Sequence, residues 1–263
     1  MARGEGLAPV LARRTDIPDA LDALAERVRP TTLARDRRFP VLPALEPLLP
    51  GAGLRRGSTV AVGAAPGVTG ATSLALALAA GASRDGSWVA AVGLGSLGLV
   101  AAAELGVALE RFVVVADPGG RGRPAGGRHG GADASRRAGW PAVVAALVDG
   151  FDVVLVAAGP GTSLRAADVR RLTARGRERG AVLVAVGGEL PGERSPVRLS
   201  VVASRWSGLD RGTGHLRCRE ATVEATGRGD ATRRRRARLW LPGPDGGVET
   251  CEPATVVELP VAP

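Results

Sequence analysis

The chain contains no lysine, tyrosine, asparagine or glutamine. Its net charge of +9 over 263 residues is therefore an arginine excess, a pattern that matches codon bias in a GC-rich genome more than selection for arginine chemistry. Such an excess favours anionic partners, DNA among them, through non-specific attraction, and it says nothing of fold. Cysteine is almost absent. Cys218 and Cys251 lack any CxxC or Cys/His spacing, which excludes a zinc site or a disulfide framework and leaves two free thiols. With only His129 and His215 as histidines and no GxSxG, hydrolase machinery is not visible, and both histidines read as surface residues. No apolar run reaches the roughly 18 to 20 residues of a membrane span. The opening MARGEGLAPVLARRTD has no apolar core of a secretory signal. These absences point to a cytoplasmic protein with no membrane contact and no metal.

What is present is 45% hydrophobic, enough for a sizeable core, punctuated by 38 glycines and 19 prolines. Residues 1–45 read as an N-terminal arm with one helix, Ile17 to Val28, stopped by Pro30. Residues 46–245 read as the core and 246–263 as a tail. Within the core, continuous apolar runs at Thr59–Val62, Trp88–Val92, Phe112–Val115, Val153–Val156 and Val182–Val186 predict strands. Helical stretches at Thr72–Ala80, Leu97–Leu105, Pro141–Val148 and Leu164–Arg179 separate them, the third with proline in its first turn. This alternation predicts a buried, mostly parallel sheet flanked by helices. From Arg198 the period changes to two, at Arg198–Arg205, Leu216–Ala225 and Arg234–Leu241, which predicts an antiparallel extension. The glycine-rich stretch 119–139 reads as a flexible surface loop.

Two glycine motifs compete. APGVTGATS, Ala65–Ser73, lies between a strand and an apolar helix, the context in which backbone amides and a helix N-terminus cradle phosphate. Gly70 and Thr72 fit GxxxxGK[ST], with Gly67 and Ser73 beside them, but the first glycine is Ala65 and the lysine is Ala71. Without that lysine the β- and γ-phosphates lose their fixed counter-ion, so the expectation is weak ATP binding or none. The second motif is GLGSLG, with Gly93, Gly95 and Gly98, and Asp117 closing the next strand. That pattern matches the dinucleotide fingerprint and keeps an NAD-binding protein of Rossmann type as the alternative.

Taken in order, the segments LLPGAGLRRGSTVAVGAAPGVTGATSLALALA, AAELGVALERFVVV, FDVVLVAAG, RLSVVASRW and VEATGRGDATRRRRARLWL resemble the RecA-like ATPase core. The chain is most similar to the small degenerate relatives that serve as ImuA-like mutasome accessory proteins in actinobacteria. The resemblance implies a role in error-prone translesion DNA synthesis during the SOS response, with an inactive Y-family polymerase homologue and an error-prone C-family polymerase as partners. It also places the lost P-loop lysine at Ala71, the lost Walker B aspartate at Ala157, and the glutamate that activates water near Leu94 or Gly95. Phosphoryl transfer is mostly positioning and charge neutralisation, so three such losses imply a pseudo-ATPase without catalytic residues or a required cofactor. The segments where RecA proteins grip single-stranded DNA, at Gly159–Thr162 and Gly187–Ser195, are too short to reproduce that grip.

Two arginine clusters remain. Arg165, Arg170, Arg171, Arg175, Arg177 and Arg179 share one helix and read as a solvated face. The run Arg233, Arg234, Arg235, Arg236 with Arg238 is denser, and like charges so close repel unless phosphates or carboxylates sit opposite. It is the candidate DNA or partner surface, together with Trp206 and Trp240 on presumed edge strands. Trp88 and Trp140 read as core or sheet-face residues.

Overall fold

Apolar runs bounded by glycine become buried strands in the computed structural model of the protein, which describes residues 38–115, 132–159, 164–210 and 213–251. The expected helix at residues 17–28, Asp117 and His129 lie outside these residues. The compact unit begins at Arg38. There the lead-in strand β1 (Arg38–Pro40) pairs antiparallel with β2 (Gly53–Arg55), and a proline-started 3-10 turn, Pro43–Leu48, runs between them. Phe39, Leu45, Leu48 and Leu54 are fully buried. The boundary expected near residue 45 is therefore corrected to 38: the apolar residues of this stretch close one face of the core.

Strands β3 (Thr59–Ala64), β4 (Val89–Val92), β5 (Phe112–Val115), β6 (Val153–Ala157) and β7 (Val182–Val186) are the expected parallel set. Strand β8 (Val197–Asp210) joins them parallel to β3, and β9 (Thr213–Gly227), β10 (Arg235–Trp240) and β11 (Glu249–Thr250) continue antiparallel. The order across the sheet is β11-β10-β9-β8-β3-β7-β6-β4-β5. Central strands are buried along their length because both faces are covered, which is why their sequences run apolar without alternation. The hairpin β8–β9 extends further than its apolar pattern predicts, with Arg205–Leu209 and Thr213–Arg217 exposed beyond the sheet. Strand β8 is interior to the sheet, so Trp206 sits on this extension and not on an edge strand.

One face is covered by α1 (Ala71–Arg84) and the lead-in, the other by α3 (Ala132–Gly150) and α4 (Ala166–Arg179); the short α2 (Leu99–Glu104) follows β4. Helix α1 is alanine- and leucine-rich and buried from Leu74 to Ala80. At Gly81 a Cβ would stand 2.6 Å from the Val41 backbone and 2.7 Å from the Pro40 carbonyl oxygen, so glycine permits the lead-in to lie directly on α1. Helix α3 corrects two expectations. It starts at Ala132, inside the stretch expected to be loop, and Pro141 lies within it and not in its first turn. Alanine favours helix on both sides of the proline, which removes one N–H from the ladder and crowds the carbonyl one turn back.

Candidate phosphate-type loop and its neighbours

The loop Ala65–Gly70 leaves the carboxyl end of β3, between the ends of β7 and β8. Ala65 N–H donates to the Val201 carbonyl at 2.9 Å and Val68 N–H to the Ala65 carbonyl at 2.9 Å, closing the turn. Gly67 and Gly70 take φ of +76° and +127°, which side chains disfavour. Gly70 caps α1 without offering a side-chain acceptor, and the first bond of the helix ladder runs from Leu74 N–H to the Gly70 carbonyl at 2.9 Å. The N–H groups of Ala71, Thr72 and Ser73 thus precede the ladder at the positive end of a 14-residue helix. Ala71, Thr72 and Ser73 are half-buried, while Pro66, Gly67 and Thr69 are exposed.

Ala157 ends β6, beside β7 and β4. The Gly187 N–H donates to the Val62 carbonyl and Ala158 N–H to the Val186 carbonyl, so the ends of β3, β7 and β6 are tied together. Leu94 and Gly95 follow β4 on the far side of β6. Ala157 and the pair Leu94 and Gly95, where the resemblance would put carboxylates, thus stand at neighbouring strand ends, and Trp140 packs there. Its buried indole packs on Gly93, where any Cβ would overlap it, and the same Cβ would be 3.0 Å from Ala157. Gly93, the first glycine of GLGSLG, therefore accommodates an indole, and Gly98 caps a helix of only six residues.

Two charged residues near this end of the sheet escaped the sequence reading. Glu189, just past β7, accepts from the Ser195 hydroxyl at 2.6 Å, the Ser195 N–H at 3.1 Å and Arg198 at 2.6 Å. Burial raises its pKa, but these hydrogen bonds outweigh it and hold the carboxyl below its usual range. Arg219, on β9, is only 4% exposed. Its Nε donates to the Leu241 carbonyl at 2.7 Å, its guanidinium lies 4.9 Å from the centre of the Trp206 ring, and Nη2 has no hydrogen-bond partner. A Cβ on Gly70 would be 3.3 Å from Cζ, Nη1 and Nη2, so the group lies directly against the cap of α1. Burial pushes its pKa below the ordinary value for arginine. No local motif announces Arg219; its place follows from the pairing Trp206↔Arg219 across β8 and β9.

The dense arginine run meets carboxylates. Glu224 pairs with Arg234 and, at 3.9 Å, with Arg236, while Glu220 pairs with Arg238. Arg235 donates to the Pro47 carbonyl at 3.4 Å, and Arg233 also has a partner. Asp149, near the end of α3, binds Arg175 and Arg179 of α4, and the hydrogen bond from Arg175 leads in holding its pKa below the usual range. Trp240 is half-buried opposite Glu220. Trp88 is 41% exposed, edge-on to Phe151 and beside Arg111. Neither Cys218 nor Cys251 forms a disulfide among the described residues, and His215 is exposed on the hairpin. Among the described residues, no cluster of three or more His, Cys, Asp or Glu could hold a metal ion, and no helix is long and apolar enough to cross a membrane. A cavity of about 590 Å³ opens at the opposite, amino end of the sheet, where Arg55, Arg56 and Arg228 contribute to its lining.

These features define a mixed α/β protein whose glycine turn meets a helix N-terminus at the carboxyl edge of a mostly parallel sheet. The chain belongs to the MT3502 N-terminal domain family, whose model matches residues 47–127 and 132–192, more than half of it. The match ends before β8, so Arg219 and the antiparallel strands lie beyond it. The chain is also 33% identical over 126 residues to the uncharacterized protein Rv3395c of Mycobacterium tuberculosis (strain ATCC 25618 / H37Rv). That similarity covers 48% of this chain and 52% of the relative, so the chain spans about half the length of the curated relative it matches.

Proposed function

We propose that the chain is a non-catalytic RecA-like adaptor that supports error-prone translesion DNA synthesis in the DNA-damage response. In this reading it works in the cytoplasm, binding an inactive Y-family polymerase homologue and, through it, an error-prone C-family polymerase. The observation that carries the non-catalytic part is the composition of the strand ends around the glycine loop. Alanine stands at 71 and 157, Leu94 and Gly95 offer no carboxylate, and Trp140 packs into the space between β4 and β6. A hydrolytic site needs a metal ligand and a group that orients water, and neither kind of side chain occupies these positions. The RecA-like assignment is supported by the loop's place after β3 and by the order of the segments along the chain. The named partners come from the resemblance alone. The purified chain is expected to show no ATP turnover above buffer, with or without single-stranded DNA; turnover abolished by Thr72→Val would overturn the non-catalytic reading.

A further inference from the structure

A guanidinium and the N-terminal end of a helix are both positive, and here they are packed together. Arg219 lies against Gly70, the cap of α1, while the N–H groups of Ala71, Thr72 and Ser73 precede the helix ladder. Among the described residues no carboxylate pairs with Arg219. Glu220, the next residue on β9, pairs with Arg238, and Glu224 pairs with Arg234. A buried cation with an unpartnered nitrogen, set beside a helix N-terminus, is an unstable combination by itself. An anion that accepts from both groups at once would satisfy both.

We propose that the glycine loop, the first turn of α1 and Arg219 form a binding site for one phosphate-type oxyanion, with Arg219 supplying the charge that Ala71 does not. The cation arrives from the antiparallel strand β9, about 150 residues downstream. The backbone amides at 71–73 and the Thr72 and Ser73 hydroxyls supply the remaining donors, as helix N-termini do for phosphate elsewhere. The Trp206 ring, its centre 4.9 Å from Cζ, packs beside the same guanidinium. The proposal stands on this geometry and does not depend on any polymerase partner. Its ligand is either inorganic phosphate or the phosphate chain of a nucleotide.

The test is calorimetric titration of the full chain with inorganic phosphate, ADP and ATP, against chloride at equal ionic strength. Saturable binding tighter than about 1 mM is expected for at least one of them. Equal affinity for phosphate and ADP identifies free phosphate as the ligand, and ADP or ATP about tenfold tighter identifies a nucleotide. Arg219→Met should weaken binding about tenfold or more, the ordinary effect of losing a charged hydrogen bond. It should leave the melting temperature without ligand unchanged or higher, since it removes an uncompensated buried charge. Ala71→Asp supplies a second route that does not touch Arg219. Its carboxylate occupies the anion's place, so it should raise Tm by about 2–4 °C and abolish ligand binding. Absence of saturable binding for all three ligands, or wild-type affinity in Arg219→Met or Ala71→Asp, overturns the proposal. So does a fall in Tm on Ala71→Asp.

Discussion

Replacing Gly81 by alanine sets two effects of opposite sign against each other. In an exposed helix interior, alanine is better than glycine by about 1 kcal/mol, because it restricts the unfolded chain and leaves less backbone to order. In α1 the new methyl would stand 2.6 Å from Val41 Cα and carbonyl carbon and 2.7 Å from the Pro40 oxygen. Ordinary carbon contacts lie at about 3.5–4.0 Å, so α1 and the lead-in must separate by about 1 Å. Both partners are backbone, and neither can rotate away. Overpacking of this kind costs about 1–3 kcal/mol, and here the upper end applies because Phe39, Leu45 and Leu48 are fully buried beside it. Subtracting the helix gain leaves a net destabilisation of about 1–2 kcal/mol, or roughly 2–8 °C in Tm for a chain of this size. Thermal and urea unfolding followed by circular dichroism reads it. A rise in Tm for Gly81→Ala would mean that residues 38–49 do not pack on α1, and that the boundary of the core lies after them.

Glu189 has its pKa lowered in the folded state, so its stabilisation is present at neutral pH and is lost as pH falls below about 4.3, where the unfolded carboxyl takes up its proton. Glu189→Gln should therefore be less stable than wild type at pH 7 and lose less on acidification, as followed by Tm against pH; parallel profiles would refute the assignment. Trp140→Ala should cost about 3–5 kcal/mol in denaturant unfolding, because the indole is buried against Gly93 and few side chains can collapse into its place. Changing Arg233, Arg234, Arg235, Arg236 and Arg238 to serine should lower the salt dependence of single-stranded DNA binding by less than the roughly 3.5 log–log units expected of five phosphate contacts. Arg234, Arg236 and Arg238 already meet Glu224 or Glu220, and the full reduction would show that DNA displaces these carboxylates.

The parallel strands were legible because burial on both faces writes a continuous apolar run, and the glycine loop because φ above zero selects glycine at 67 and 70. The antiparallel strands were legible by their period, but their length was not. From Arg205 on β8 and up to Arg217 on β9 the hairpin is exposed, and residues there no longer report which way they face. The lead-in was hidden by its prolines, since 3-10 turns bury residues at no regular spacing. In sequence, Pro141 and the glycine-rich stretch before it read as boundaries, but α3 starts inside that stretch and runs through the proline. Arg219 was illegible for a different reason. In sequence it is one arginine among many, and it acquires meaning only when β9 aligns Arg219 with Trp206 and the sheet carries both to the cap of α1. The balancing of the arginine run by Glu220 and Glu224 is likewise a property of strand pairing, visible once Arg236 stands opposite Glu224.

The central claim is that this chain acts by holding a polymerase-related partner and not by turning over a nucleotide. Affinity capture of the tagged full chain from cells, before and after DNA damage, tests it most directly. The account predicts recovery of the inactive Y-family polymerase homologue, enriched after damage, with the C-family polymerase following only when that homologue is present. Recovery of neither protein under conditions where the bait is folded and expressed would contradict it.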